Sequence, residues 1–323
     1  MKRAWALVLA LAPVLVGVVC AHAGDKVYQI GISQIVEHPA LDDTRRGFID
    51  ELKEHGYIAG KNVEFDYKNA QNNRPVSGQI ARKFVGDNKD LVLTIATPSS
   101  QDMAAATEKI PILFSAVTDP VAAGLVKSLR QPGGNVSGTT DRSPVSAQLD
   151  LIKEILPGVK KLGTIYNAGE VNSVASVKDI KAEAKKRGIE VIEATAATSS
   201  AVKQAAESLV GNVDAIHIPT DNTVVLAFES VVKVCRDNKI PLFAADVDSV
   251  TRGAIAALAV DYYKLGRQTG KMAVKILEGK ADISKLPVEY QKELLLHLNP
   301  KQAKVMGVTL PEAVEKRASK TIE

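Results

Sequence analysis

Six short segments of this chain concentrate groups that could hold a small molecule: residues 33–40, 97–101, 115–120, 167–173, 220–223 and 246–251. Their hydroxyls and amides are Ser33, Gln34, Thr97, Ser99, Ser100, Gln101, Ser115, Thr118, Asn172, Ser173, Asn222 and Thr223. Their acids are Glu37, Asp119, Glu170, Asp221, Asp246 and Asp248, and no Lys or Arg falls in any of them. Phosphates and dicarboxylates are ordinarily met by Arg or Lys, so this composition argues against such ligands. It suits a small ligand whose cationic group needs an acidic partner. A single ligand carboxylate is then left to backbone N–H groups at helix starts, near Ser99 and Asn222. An amino acid carries both groups. The same residue types also cap helices, so at each position a capping role stands beside ligand contact.

Nothing in the sequence demands catalysis. The motifs H-E-x-x-H, G-x-S-x-G, G-x-G-x-x-G and the P-loop are all missing, and no metal set or cofactor fingerprint replaces them. Of the histidines past residue 23, His55 precedes a helix-stopping glycine, while His217 and His297 alternate with apolar neighbours. Only His38 falls in one of the six segments. Cys235 sits in an apolar helical pattern with Val231, Val232 and Val234, which reads as a buried, inert thiol.

The segments lie at the ends of short β-branched runs that alternate with longer amphipathic stretches. Strands are expected at 27–33, 63–67, 91–96 and 112–116, with helices at 41–55, 76–87 and 99–107 between them. The plan restarts with strands at 161–166, 190–194, 215–219 and 241–245 and helices at 171–187, 201–209 and 224–238. Such alternation implies parallel sheet with crossover helices, whose ligands bind at the carboxyl ends of the strands. The stretch QIARKFVGDNKDLVLTIATPSS (79–100) matches QAAESLVGNVDAIHIPTDNT (204–223) in plan, which indicates a duplicated domain. The Gly-, Pro- and Ser-rich 131–144 reads as the boundary between halves. Beyond it, an apolar run at 254–260, a strong helix at 262–277 and a strand at 293–298 can complete either lobe.

The chain has 323 residues, with 41 Lys and Arg against 37 Asp and Glu and 46% hydrophobic residues. That is globular composition with room for two cores, and the small positive charge has no basic cluster to serve nucleic acid. Met1–Ala23 reads as a signal peptide: Lys2 and Arg3, an apolar stretch to Val19, then Ala21-His22-Ala23 before the expected cut. Its unbroken apolar run is short for a membrane span. Val19 before Cys20 argues against a lipid anchor there. Cleavage leaves 300 residues (323 minus 23), no Trp, and Cys235 as the lone thiol, so no internal disulfide can form. Absence of Trp also weakens a sugar-binding reading.

The segments GISQIVEHPALDDTRRGFIDELKEHGY, IATPSSQ, FSAVTDPVAAGLV, PGGNVSGTTD, IYNAGEVNS, IPTDNTVV and DVDSVTRGAIAALAVDYYKLGRQTGKMAVKILEG together resemble the ABC-transporter substrate-binding proteins that include tryptophan and other aromatic amino-acid binders. The likeness runs from about Val27 to Leu298. It implies the type I periplasmic-binding-protein fold, an α/β arrangement of two Rossmann-like lobes with parallel sheets joined by a multi-strand hinge. One lobe would comprise 27–138 and 261–281, the other 142–253 and 287–323. By the same resemblance the ligand-contacting residues are Gln34, His38, Thr97, Pro98, Ser99, Gln101, Ser115, Ala116, Thr118 and Asp119 in the first lobe. In the second they are Glu170, Asn172, Ser173, Asp221, Asn222, Thr223, Asp246 and Asp248. Asp221 or Asp246 is favoured as partner of the ligand ammonium. Tyr262 and Tyr263 fit packing as well as a ring clamp. The implied protein is non-enzymatic, cofactor-free and monomeric. It is exported to the periplasm and delivers an amino-acid-like ligand, an aromatic amino acid first, to an ABC permease. A sensory protein that reports its ligand to a receptor or kinase is the alternative.

Overall fold

The computed structural model describes residues 26–323; the expected signal peptide and Cys20 lie outside them. In chain order the first strands and helices are β1 (Tyr28–Gln34), α1 (Pro39–Glu54), β2 (Val63–Asn69), α2 (Arg74–Gly86), β3 (Leu91–Ile95), α3 (Thr97–Ala106), β4 (Ile112–Ser115) and β5 (Val136–Thr140). There follow α4 (Val145–Ile155), β6 (Lys161–Tyr166), α5 (Val171–Lys186), β7 (Glu190–Thr195), α6 (Val202–Ser208), β8 (Ala215–Ile218), α7 (Asn222–Leu226), α8 (Phe228–Asp237), β9 (Leu242–Ala244), α9 (Asp248–Arg252) and β10 (Ala256–Ala259). The chain ends with α10 (Tyr262–Leu277), β11 (Glu289–Tyr290), β12 (Leu295–Leu298), α11 (Pro300–Val305), α12 (Glu312–Glu315) and β13 (Lys320–Thr321).

The strands form two sheets, one ordered β11-β5-β4-β3-β1-β2 and one ordered β13-β12-β10-β9-β8-β6-β7. Every pairing is parallel except β10 with β12. Central strands such as β3 are buried along their whole length, which is why they read as continuous apolar runs rather than alternating ones. Each sheet has its own hydrophobic core.

The chain passes between the sheets three times, at 141–144, 260–261 and 291–294. The passages are tied together. Tyr262 donates its hydroxyl to Asp141 at 2.8 Å, and the Gln291 side chain pairs with both the N–H and the carbonyl of Asp261. Three connections are the multi-strand hinge expected. The 131–144 stretch, however, is not all linker: β5 runs through it. The segment Val-Ser-Gly-Thr-Thr can be buried because its hydroxyls find partners. Thr139 bonds Ser115 and Thr269, Ser137 donates to the Leu286 carbonyl, and Thr140 to that of Thr118. Glu289–Tyr290 still pairs with β5, so the last passage follows residue 290. The expected helix at 224–238 is two helices that meet at Ala227, where ψ swings to 26°.

Helix α10 follows the second passage and packs along α1 of the first sheet. Their backbones nearly touch. A Cβ at Gly47 would stand 2.1 Å from the Tyr263 carbonyl oxygen, and one at Gly266 2.0 Å from that of Thr44. Arg267 is paired with Glu51 and Glu54, and Tyr263 donates to Asp50 at 3.0 Å. This contact fixes the start of α10, and with it Tyr262 beside the hinge. The substitution Gly266→Ala must push the two helices apart and is expected to cost about 1–3 kcal/mol of stability. Urea unfolding should show the lower midpoint; an unchanged midpoint would contradict the close approach.

Candidate functional site

At the carboxyl ends of the strands, between the two sheets, lies a small cavity of about 30 Å³. His38, Ala40, Leu41, Ala116, Thr118 and Asp141 face it from the first lobe and hinge, and Tyr262 from the start of α10. Asn172, Thr220, Asp221, Asn222, Val225 and Asp246 face it from the second. Among the described residues three carboxylates therefore line it, with no Lys or Arg.

The acids are held by short-range hydrogen bonds. Asp141 accepts from the Thr118 and Tyr262 hydroxyls. Asp221 caps α7 through the Val224 N–H at 2.7 Å and also accepts the Asn167 N–H. Asp246, just ahead of α9, takes the Ser249 N–H and hydroxyl at 2.8 and 2.7 Å. Burial dominates their titration. It raises Asp141 and Asp246 above the usual carboxylate range. It lifts Asp221 to about 7, helped by the neighbouring Glu170 charge. Asp248, beside Asp246, is likewise lifted to about 7 by burial and the Asp246 charge.

Glu170 has a different task. Its carboxylate accepts from the N–H and side chain of both Asn222 and Thr223, and from the Asn172 amide. A protein carboxylate thus already fills the start of α7, the position near Asn222 considered for a ligand carboxylate. The start of α3 is not filled in this way. Its first residues, Thr97, Pro98 and Ser99, are buried, and the hydroxyls of Thr97 and Ser99 have no partner among the described residues. The backbone there is strained: Ala96 and Ala116, at the ends of adjacent strands β3 and β4, have φ of 76° and 57°.

Of the residues expected at the site, the structure brings His38, Ala116, Thr118, Asn172, Asp221, Asn222 and Asp246 to the cavity wall. Glu170, Ser173 and Thr223 lie behind that wall: Glu170 bonds Asn172, Asn222 and Thr223, and Ser173 accepts from Asn172. Gln34 is turned to Val36 and Asp42 and shapes the first loop. Gln101 bonds the Ala123 carbonyl and Arg74, and Ser115 joins Thr139 and Thr269. Asp119 pairs with Arg142, which also reaches Asp179 on α5. Sequence reasoning missed Asp141, inside the presumed linker, and the apolar wall of Ala40, Leu41 and Val225. Tyr262 was legible as a helix start, but its hydroxyl bond to Asp141 was not.

The lobes also touch directly. Asn72, held at φ 56°, donates to Thr223 at 3.0 Å, and the Thr118 and Thr220 hydroxyls meet at 3.2 Å. This is a closed arrangement.

The acids set the pH dependence of this closed state. A carboxyl with a raised folded value binds more protons folded than unfolded, so its stabilising effect is present at low pH and lost as pH rises through about 7. The ligand-free protein is expected to lose a few degrees of Tm between pH 5.5 and 8. Asp221→Asn, which keeps an acceptor at the α7 cap, should flatten that slope; differential scanning calorimetry across the range checks both, and an unchanged slope would contradict the role given to Asp221.

Comparison with known proteins gives four further findings. The family model described as "ABC transporter substrate binding protein" matches residues 29–322. A tyrosine-binding protein of Clostridioides difficile is 47% identical over 283 residues, which cover 88% of this chain and 82% of that one. Among solved structures, an ABC domain from Streptococcus pneumoniae in complex with L-Trp is 36% identical with a TM-score of 0.89, over 92% of this chain and 100% of that one. A ligand-free, open substrate-binding protein from Clostridium difficile is 45% identical yet scores 0.70, over 91% and 99%. The lower score at higher identity is what a different opening of two similar lobes produces.

Proposed function

This chain belongs to the ABC transporter substrate-binding protein family, and on that premise we propose that it captures a free aromatic amino acid, tyrosine or tryptophan, between its lobes. The observation that carries this reading is the closed cavity in which Asp141, Asp221 and Asp246 converge without a cationic side chain. A ligand ammonium supplies the missing charge. We assign the ligand carboxylate to the start of α3, which does not itself line the cavity of the ligand-free protein, because Thr97 and Ser99 leave two buried hydroxyls unpartnered there and the helix dipole favours an anion. The ring is assigned to the wall of Ala40, Leu41, Ala116 and Val225. The tyrosine-binding relative and the L-Trp complex support the same chemistry.

Closure follows from contact with both lobes, since a ligand shifts an equilibrium only by binding one state better than the other. The closed form then presents a surface built from both lobes to an ABC permease. Export rests on Met1–Ala23 as a cleaved signal peptide, with the mature chain acting as a monomer in the periplasm. The family is one of binding proteins rather than enzymes.

The test is isothermal calorimetry and thermal shift on residues 24–323, refolded to remove bound ligand, against the twenty amino acids. Tyrosine or tryptophan at ~100-fold its Kd should add roughly 2.7 kcal/mol, a rise of several degrees in Tm. Because the arriving ammonium ionises a carboxyl that burial had kept protonated, the binding heat near pH 6.5 should vary with the buffer's ionisation enthalpy, in the direction of proton release. Binding of a non-amino-acid ligand alone, or of none of the twenty, would overturn the reading.

A further inference from the structure

Two side chains of the cavity wall end in buried polar atoms with no hydrogen-bond partner: Asn172 through Oδ1 and His38 through Nδ1. They come from opposite lobes. Asn172 is 4% exposed, and its amide nitrogen is committed to Glu170, Ser173 and the Thr220 carbonyl. Its oxygen therefore accepts only, among the acids of the second lobe, and a ligand ammonium satisfies it. His38 is different. It stands at the start of α1, where Ala40 and Leu41 form part of the apolar wall, and it makes no capping bond to its own helix. Among the described residues nothing pairs with its buried Nδ1.

We propose that His38 selects ligands whose ring carries a hydrogen-bonding group, so that the site accepts tyrosine or tryptophan and rejects phenylalanine. This rests on the aromatic amino-acid reading and goes one step beyond it, to a residue that sets specificity. Burial, with the nearby Arg252 charge, holds the imidazole neutral, lowering its pKa to about 3. A neutral ring nitrogen is either a donor or an acceptor. A phenol hydroxyl serves both states, an indole N–H serves the acceptor, and a phenyl ring serves neither. A phenylalanine bound here leaves the already buried Nδ1 atom without a partner, whereas a phenol or indole supplies one, and sites built around a substrate hydroxyl discriminate strongly against the analogue that lacks it.

The experiment is calorimetric titration of the mature wild type, His38→Leu and His38→Gln with tyrosine, tryptophan and phenylalanine, with the Tm of each variant recorded first. The wild type should bind tyrosine or tryptophan at least about tenfold tighter than phenylalanine. In His38→Leu the preferred ligand should fall to within about threefold of phenylalanine, while phenylalanine binding is kept or improved. His38→Gln, which restores a polar atom, should recover part of the preference and guards against a folding defect in the leucine variant. A preference that survives in His38→Leu overturns the proposal. So does equal binding of the three ligands by the wild type, or loss of all three in a variant with unchanged Tm. If the wild type binds none of them, the aromatic reading itself has failed, an outcome separate from a loss of preference alone.

Discussion

Carboxylates without cations are the constraint around which this molecule is arranged. Asp141, Asp221 and Asp246 line one closed cavity, Glu170 stands behind it, and no Lys or Arg among the described residues reaches the wall. Buried carboxylates are tolerated only when hydrogen-bonded, neutralised or paired. The first two remedies are present. Backbone N–H groups and hydroxyls hold the three wall acids, and burial shifts the titration of Asp141, Asp221 and Asp246 upward. The third remedy, a positive charge, is left to a ligand. A binding protein gains from this division, because the closed state then has a reason to prefer being filled.

The fold supplies the means. Parallel strands deliver loop residues to one edge of each sheet, and three passages of the chain set those edges face to face. The close approach of α10 to α1 matters more than its distance from the cavity suggests. With glycine at 47 and 266 the helices can meet backbone to backbone, and that places Tyr262 where its hydroxyl reaches Asp141 on another passage. One side chain thereby couples a lobe's packing, the hinge and the cavity wall. The strained alanines at 96 and 116 lie at the ends of neighbouring strands in the same lobe, and Ala116 reaches the wall itself.

Much of this was legible in the sequence because its signals are local. Strand and helix alternation, the duplicated plan and the acid-rich, Lys- and Arg-free loops follow from residue type and spacing. What escaped depended on partners far along the chain. The polar strand Val136–Thr140 looks like a linker until Thr139 is seen beside Ser115 and Thr269. Asp141 looks like part of that linker until Tyr262 reaches it across 121 residues. Glu170 has the same composition signal as Asp221 and Asp246, yet it clamps a helix start rather than lining the cavity. Only the geometry separates these roles, because a carboxylate that caps and one that waits for a ligand are the same residue in sequence.

The most direct test of the central claim removes the charge from the ligand rather than from the protein. Calorimetry at pH 7 would compare tyrosine with its des-amino analogue, 3-(4-hydroxyphenyl)propionate, which keeps the ring, hydroxyl and carboxylate. If the three acids exist to receive an ammonium, the analogue should bind more than about a hundredfold more weakly, since it leaves them buried and unpaired. Equal affinity for the two would mean that the carboxylates are structural, and that recognition lies elsewhere in the cavity.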